Sequence, residues 1–148
     1  MIVTFFGHSN AFIDKKLSCI IENTIIKLLN SYEFIEFYLG GYGNFDNACM
    51  LALNKLKSNY KNFKTIFVTP YILSSYDKLK NAKNLYDETI YPPIESAPLR
   101  FAIEKRNFWM VDNSNYIVFY VEKRFGGAYK CLKRAINKNI PFENISKY

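Results

Sequence analysis

The sequence has 148 residues, a formal net charge of +7 and a pI of about 9.2. Hydrophobic residues make up 49% and charged residues 22%, which excludes a disordered chain and indicates one globular domain over residues 1–148. No apolar run reaches the roughly 18 residues of a membrane span, and the N-terminus lacks the basic start of a signal peptide, so we expect a cytoplasmic protein without a membrane partner.

Strands and helices are predicted to alternate in the first half of the chain. Residues 2–6 predict a strand that ends at Gly7, and residues 34–39 a second strand that ends at Gly40-Gly41. A third strand, "KTIFVTP", stops at Pro70. Apolar residues at helical spacing predict two helices between these strands, with buried stripes at Phe12, Ile13, Leu17, Ile20, Ile21, Ile25, Leu28 and Leu29, and at Ala48, Leu51, Ala52 and Leu56.

The second half begins with a long connection, residues 70–98, which has several prolines and weak periodicity. Such a connection is usually functional or partly mobile, and we predict in it a short helix at residues 77–84 and a lid carrying Glu95. A helix to about Asp112, a strand at residues 115–121, a helix from "FGG" to Asn137 and a short strand in "PFENIS" complete the chain. The pattern predicts an α/β fold, a Rossmann-like parallel sheet of about five strands with helices on both faces.

The few cysteines and the single histidine limit the metal chemistry. Cys19, Cys49 and Cys131 are far apart and odd in number, and each lies in a helical pattern, which indicates buried free thiols. A zinc site needs more ligands than one histidine and dispersed cysteines supply. We therefore expect neither a metal nor a cofactor.

Glycines follow several predicted strands at the point where a helix begins. In a parallel sheet these points share the carboxyl edge, where α/β proteins bind ligands and helix N-termini favour phosphate. Taken by itself, Gly7 favours a simple turn, whereas Gly40, Gly41 and Gly43 together favour a phosphate cradle. The spacing matches neither G-x-G-x-x-G nor a P-loop. We therefore predict that a phosphorylated ligand contacts the backbone of the glycines at these strand ends, which are Gly7, Gly40, Gly41, Gly43, Gly126 and Gly127.

Polar residues near these glycines are the remaining site candidates. Asp46 is either a first-turn acid of its helix or a ligand to a ribose hydroxyl. Leu99, Ala102, Ile103 and Met110 predict the buried stripe of the helix that ends near Asp112, and Arg106 falls on the same face. Arg106 therefore needs an anionic partner, which is Glu95, Asp46 or a ligand phosphate. The other predicted contacts to ligand are His8, Ser9, Asn44 and Lys130, with Tyr42, Tyr71 and Tyr91 as candidates for stacking on a base.

The C-terminal half resembles the SLOG superfamily, which includes the LOG (Lonely Guy) phosphoribohydrolases. Their arginine-bearing helix, methionine, strand and P-G-G-x-G-T-x-x-E motif are matched in order by Arg106, Met110, residues 116–121 and Gly126-Gly127. The chain departs from the motif at its third glycine, its threonine and its glutamate, which are replaced by Tyr129, Lys130 and Lys133. Because Lys133 stands where LOG enzymes have their catalytic glutamate, hydrolysis of an N-glycosidic bond is in doubt.

The resemblance implies a Rossmann-like fold, a ligand related to a nucleotide, and a homodimer or higher homo-oligomer. Our main hypothesis is a binding module for a nucleotide-derived small molecule, linear or cyclic, that senses or sequesters a signal in phage or antiviral defence. One alternative is a LOG-type phosphoribohydrolase in which Asp46, Glu95 or Glu104 replaces the missing glutamate. A second is single-stranded nucleic-acid binding, as in DNA-processing relatives of the superfamily, which the charge and the aromatics allow. The scattered lysines and the larger size of those relatives argue against a nucleic-acid partner.

Overall fold

The protein is described by a computed structural model over residues 1–71 and 85–147. The described residues form strands β1 (Ile2–Gly7), β2 (Ile35–Leu39), β3 (Phe63–Val68), β4 (Glu88–Ile90), β5 (Tyr116–Tyr120) and β6 (Phe142–Asn144). The α-helices are α1 (Lys15–Ser31), α2 (Asn44–Leu56), α3 (Ala102–Asp112) and α4 (Gly127–Asn137). Short 3-10 helices cover Leu99–Phe101 and Ile145–Lys147. The helix predicted at residues 77–84 lies outside the described residues.

The strands form one sheet in the order β4-β3-β2-β1-β5-β6, and all neighbours are parallel. The chain moves outward from β1 to β4 and then returns to the other side of β1 as β5. The strand order therefore reverses between β1 and β5, and this reversal opens a crevice at the carboxyl edge of the sheet. Helices α1 and α2 pack on one face, whereas α3 and α4 pack on the other. This confirms the Rossmann-like α/β prediction.

The described sheet has six strands, one more than predicted. The additional strand is β4, which pairs Thr89 with Phe67 of β3. It has only three residues and follows a stretch of weak periodicity, so it carries no alternation that a sequence pattern could detect. The short C-terminal strand predicted in "PFENIS" is present as β6.

Three residues predicted to be buried are exposed, and for Phe12 and Leu99 the reason is that the helix begins later than predicted. Helix α1 begins after Asp14, whose Oδ1 accepts a hydrogen bond from Leu17 N at 2.8 Å, so Phe12 lies in the preceding loop and is 81% exposed. Leu99 belongs to a 3-10 helix before α3, and Leu51 faces away from the buried side of α2. In α3, Ala102, Arg106 and Met110 are buried as predicted.

The cysteines are free, and two of the three match the prediction of burial. Cys49 and Cys131 are buried in α2 and α4, but Cys19 is exposed on α1. None of the helices in the described residues is long and apolar enough to cross a membrane.

Candidate functional site

A cavity of about 380 Å³ lies at the carboxyl edge, where the loops after β1, β2 and β5 meet the starts of α3 and α4. Sequence-predicted site residues line much of it: Gly7, His8, Ser9, Gly40, Asp46, Arg106, Gly126 and Gly127. Gly41, Gly43, Asn44 and Lys130 do not line it. Lys130 instead forms an ion pair with Glu104 at 3.7 Å.

Asp46 holds the loop that follows β2. Its carboxylate accepts hydrogen bonds from Gly40 N at 3.1 Å and Gly41 N at 2.8 Å. The two amides assigned to a ligand phosphate are therefore engaged by a side chain of the same chain. Asp46 lies in the first turn of α2, which was one of its two predicted roles. The other predicted role, binding of a ribose hydroxyl, does not account for the hydrogen bonds that its carboxylate accepts. Burial raises the Asp46 pKa to about 6, against the opposing effects of the Gly40 amide and Arg106.

Gly41 and Gly43 make a tight turn and permit close packing. Both have a positive φ, +69° and +94°, which favours glycine. A Cβ on Gly41 would lie 2.3 Å from the Phe67 ring, and one on Gly43 would lie 2.7 Å from Ser9 Cα. Asn44 continues this packing, since its backbone N–H donates to Ser9 O at 2.9 Å. Gly41 and Gly43 of "GGYG" are therefore required for the tight turn and for the packing of this loop on the loop after β1.

Arg106 is buried in α3 with 2% of its surface exposed, and its guanidinium reaches the ends of two strands. Nη1 donates to Gly40 O at 2.7 Å and to Val68 O at 2.8 Å, and Nε donates to Asn107 Oδ1 at 2.8 Å. Backbone carbonyls therefore take the place of the predicted anionic partner within the protein. Burial lowers the Arg106 pKa, and the nearby Asp46 opposes that shift.

The second terminal nitrogen of Arg106 remains available. Nη2 makes no hydrogen bond to residues 1–71 or 85–147. No side-chain nitrogen in these ranges is both fully buried and without a partner, so Nη2 keeps a small exposed area although only 2% of Arg106 is exposed, and Arg106 lines the cavity. The cavity floor thus carries the Arg106 guanidinium together with the Asp46 carboxylate, and Nη2 of Arg106 is the donor that suits a phosphate oxygen.

His8 connects the two strands at which the strand order reverses. Its Nε2 accepts hydrogen bonds from Glu122 N at 2.9 Å and Lys123 N at 3.2 Å, just after β5. Accepting both bonds requires Nε2 without a proton. Partial burial and then the charge of Lys123 lower the His8 pKa, which favours this neutral form. His8 lines the cavity but has a defined structural role.

The loop after β5 supplies functional candidates that the sequence interpretation missed. Lys123 and Phe125 line the cavity, and Lys123 Nζ lies 5.8 Å from the centroid of the Phe125 ring. Phe125 is 68% exposed, and Tyr42 on the loop after β2 is 65% exposed. Lys123 and Phe125 could have been found from "EKRFGG", a run of basic and aromatic residues at the end of a predicted buried strand.

The catalytic candidates are not gathered in one place. Glu95 lines a separate cavity of about 180 Å³ with Tyr71 and Tyr91, whereas Asp46 lines the larger one. Lys133 is exposed on α4, with its Nζ 5.8 Å from the centroid of the Tyr129 ring, and does not line either cavity. The structure thus brings no pair of these carboxylates together.

Comparison with known proteins identifies a relative in a bacterial prophage. The chain is 31% identical over 137 residues to the uncharacterized SPbeta prophage-derived protein YoqJ of Bacillus subtilis (strain 168), and the match covers 81% of this chain and 78% of YoqJ. The chain belongs to the YoqJ family. No protein-family model matches it.

Two solved structures that resemble this YoqJ family member are DNA-processing proteins. DNA processing protein A (DprA) of Streptococcus pneumoniae has a TM-score of 0.64 and 18% identity, with 94% of this chain and 48% of DprA covered. DprA of Helicobacter pylori, described in a single-stranded DNA binding mode, has a TM-score of 0.64 and 14% identity, with 96% of this chain and 63% of DprA covered. The chain spans only about half to two thirds of these proteins, and the likeness establishes the Rossmann-like fold.

These structural neighbours correct two expectations from the sequence. The main hypothesis of a nucleotide-derived small-molecule ligand is wrong, and so is the expectation that nucleic acid is not a partner. The first followed from the glycines at the strand ends, from Arg106 and from the resemblance to LOG enzymes, and the second from the scattered lysines and the size of DNA-processing relatives. Lysines that are scattered in the sequence can gather at one edge of a folded sheet, and 94 to 96% of the chain superposes on part of the larger DprA proteins.

Proposed function

We propose that this YoqJ family member is an SLOG-like protein that binds single-stranded DNA at the carboxyl edge of its sheet. The observation that carries the proposal is the cavity between the ends of β1 and β5. It combines the accessible Nη2 of Arg106, the basic side chain of Lys123 and two exposed aromatic rings, Tyr42 and Phe125. A basic groove with aromatic rings is the usual combination for binding a single strand without sequence preference.

The phosphate contacts come from the cavity floor and from the start of α4. Helix α4 begins at Gly126-Gly127 without a side-chain cap, and a Cβ on either glycine would have no atom within 4 Å. A phosphodiester can therefore approach the first amides of the helix closely, where the helix dipole favours negative charge. Arg106 Nη2 adds a charged donor in the same cavity.

The base contacts come from Tyr42 and Phe125, which lie on the loops after β2 and β5. Both rings are exposed and offer stacking faces to any base. Base–aromatic stacking contributes about 1–3 kcal/mol per base, so either ring can change affinity measurably. The net charge of +7 adds long-range attraction to the strand.

The test is a fluorescence-anisotropy titration of a labelled oligothymidylate with the wild type, Tyr42→Ala and Phe125→Ala. We expect each variant to weaken binding roughly 5- to 100-fold, because each loses one stacking face. Phe34→Ala is the matched control, since Phe34 is 46% exposed but precedes β2 at the opposite edge of the sheet.

Two results would overturn the proposal. One is a wild type that does not bind single-stranded DNA at low salt. The other is equal affinity for the wild type, Tyr42→Ala, Phe125→Ala and Phe34→Ala. Circular dichroism of every variant checks that the fold is retained, and a duplex of the same sequence tests the preference for single strands.

A further inference from the structure

An exposed phenylalanine outside the cavity suggests that the DNA-binding surface is larger than the cavity. Phe12 is 81% exposed on the loop between β1 and α1, and it does not line the cavity. Its loop is nonetheless held firmly. Ala11 is buried, its N–H donates to His8 O at 3.2 Å, and its carbonyl accepts from Asn44 Nδ2 at 3.2 Å. The ring is therefore presented to solvent by a fixed backbone.

Two lysines follow Phe12 and leave their charges unpaired. Lys15 and Lys16 are exposed at the start of α1, and neither side chain has a hydrogen-bond or ion-pair partner within the described ranges. The nearest acid in sequence, Asp14, is engaged with Leu17 N as the helix cap. An exposed aromatic ring on a well-held loop, followed in sequence by two unpaired lysines, is suited to stacking on a base and binding phosphates of a single strand. An apolar patch that packs against another protein would not need the two charges.

The same combination recurs on the adjacent strand. The loop after β5 carries Phe125 with Lys123 and Arg124, all exposed. Strands β1 and β5 are neighbours in the sheet, and His8 Nε2 joins their loops through the amides of residues 122 and 123. Two groups of one phenylalanine and two basic residues thus lie on adjacent loops at one edge, with the cavity reaching the second group.

We infer that Phe12, Lys15 and Lys16 form a second stacking position, so that a bound single strand of DNA leaves the cavity and crosses the carboxyl end of β1. This inference rests on the proposed function and adds the length of the site and the path of the strand. Phe12 stacks on a base, while Lys15 and Lys16 contact the phosphates on either side of it.

The test measures affinity against strand length. Oligothymidylates from about 4 to about 16 nucleotides, the range of known single-strand site sizes, are titrated into the wild type, Phe12→Ala and Phe125→Ala. We expect Phe12→Ala to weaken binding of the longest strands at least about 5-fold and to leave the shortest strand unaffected, because the shortest strand occupies only the cavity. Phe125→Ala should weaken binding at every length. Phe34→Ala is again the control.

Two further variants add a fluorescence readout and a salt-dependence readout to the affinity measurement. Phe12→Trp should retain affinity, and long strands should quench its added indole fluorescence, with the wild type supplying the background of Trp109. The double variant Lys15→Gln/Lys16→Gln should reduce the slope of log K against log salt by about 0.7 per lost phosphate contact. Lys27→Gln, on the exposed side of α1, should leave the slope unchanged.

The outcomes separate this inference from the proposed function. If long strands bind Phe12→Ala as tightly as the wild type while Phe125→Ala is weakened, the second position is wrong and the cavity proposal stands. If Phe12→Ala keeps full DNA affinity but abolishes self-association in sedimentation velocity, Phe12 belongs to an interface between copies and the inference fails. If the wild type binds no strand of any length, both proposals fail.

Discussion

At the scale of single residues, the cavity floor contains two charged side chains that form hydrogen bonds to the same turn after β2. Asp46 accepts from the amides of Gly40 and Gly41, and Arg106 donates to the carbonyls of Gly40 and Val68. Each charge thereby satisfies backbone groups at the carboxyl ends of β2 and β3. Arg106, the side chain best placed to meet a phosphate, therefore also holds the loops that shape the cavity.

Replacing Arg106 should destabilise the fold. In Arg106→Met the carbonyls of Gly40 and Val68 lose a charged donor, and we expect the free energy of unfolding to fall by about 3 kcal/mol. Arg106→Lys should lose less, since it retains a charge and a donor. Urea denaturation measures both, with Arg124→Met as an exposed control that should change stability by less than about 0.5 kcal/mol. Equal stability of Arg106→Met and Arg124→Met would contradict this account.

His8 and Asp46 should make stability respond to pH in opposite directions. The His8 pKa lies below its usual 6.5, so the unfolded chain takes up this proton first and the His8 contribution is lost as pH falls below about 6.5. The Asp46 pKa is raised from 3.8 to about 6, so its contribution is greatest at low pH and is lost as pH rises through 6.

Variants separate the two effects between pH 5 and pH 7.5. Asp46→Asn retains only the histidine effect and should lose stability on acidification more steeply than the wild type. His8→Gln retains an acceptor for the amides and should gain stability on acidification relative to the wild type. Urea denaturation across this pH range measures the slopes, and identical slopes for both variants would show that these two groups do not control them.

At the scale of elements, the site depends on how loops leave the strands. The loop after β2 turns back through Gly41 and Gly43 and packs on the loop after β1. The loop after β5 instead runs openly into α4 at Gly126-Gly127. Glycines in similar sequence settings therefore have different roles, a tight turn in one loop and an accessible backbone in the other.

Alanine substitutions distinguish these two glycine roles. Gly41→Ala places a Cβ at positive φ and against the Phe67 ring, and we expect a loss of about 2 kcal/mol or more. Gly127→Ala lies in α4 with no neighbour to meet, so its stability should be unchanged or up to about 1 kcal/mol higher. Gly127→Ala should instead weaken DNA binding. Thermal unfolding and the anisotropy titration measure the two effects, and reversed results would contradict the assignment.

At the scale of the whole molecule, the charge of +7 should dominate the salt response of DNA binding. With about four phosphate contacts, log K should fall with log salt with a slope of about −3, which is roughly 50-fold between 50 and 200 mM salt. Titrations at several salt concentrations measure this slope. A slope near zero would show that phosphate contacts do not drive binding. The predicted homo-oligomer stays a prediction, which sedimentation velocity tests.

Sequence alone determined the architecture because hydrophobic periodicity reports it directly. The buried strands, the helices between them and the glycines at the strand ends placed the candidate residues at one edge of a parallel sheet. Gly7, Gly40, Arg106 and Gly126 were found in this way, and they do meet at the cavity. The apolar spacing of each helix or strand can be recognised in the sequence without knowing which elements pack against it.

Only the tertiary structure decided what these residues contact. No sequence pattern shows that Asp46 takes the amides of Gly40 and Gly41, or that Arg106 reaches Val68 across 38 positions. Exposure of Phe12 likewise depends on where α1 begins, and the grouping of basic residues depends on the adjacency of β1 and β5. Such partners are distant in sequence. They are selected among all the groups that surround a side chain in the folded protein, and local sequence patterns contain no information about those surroundings.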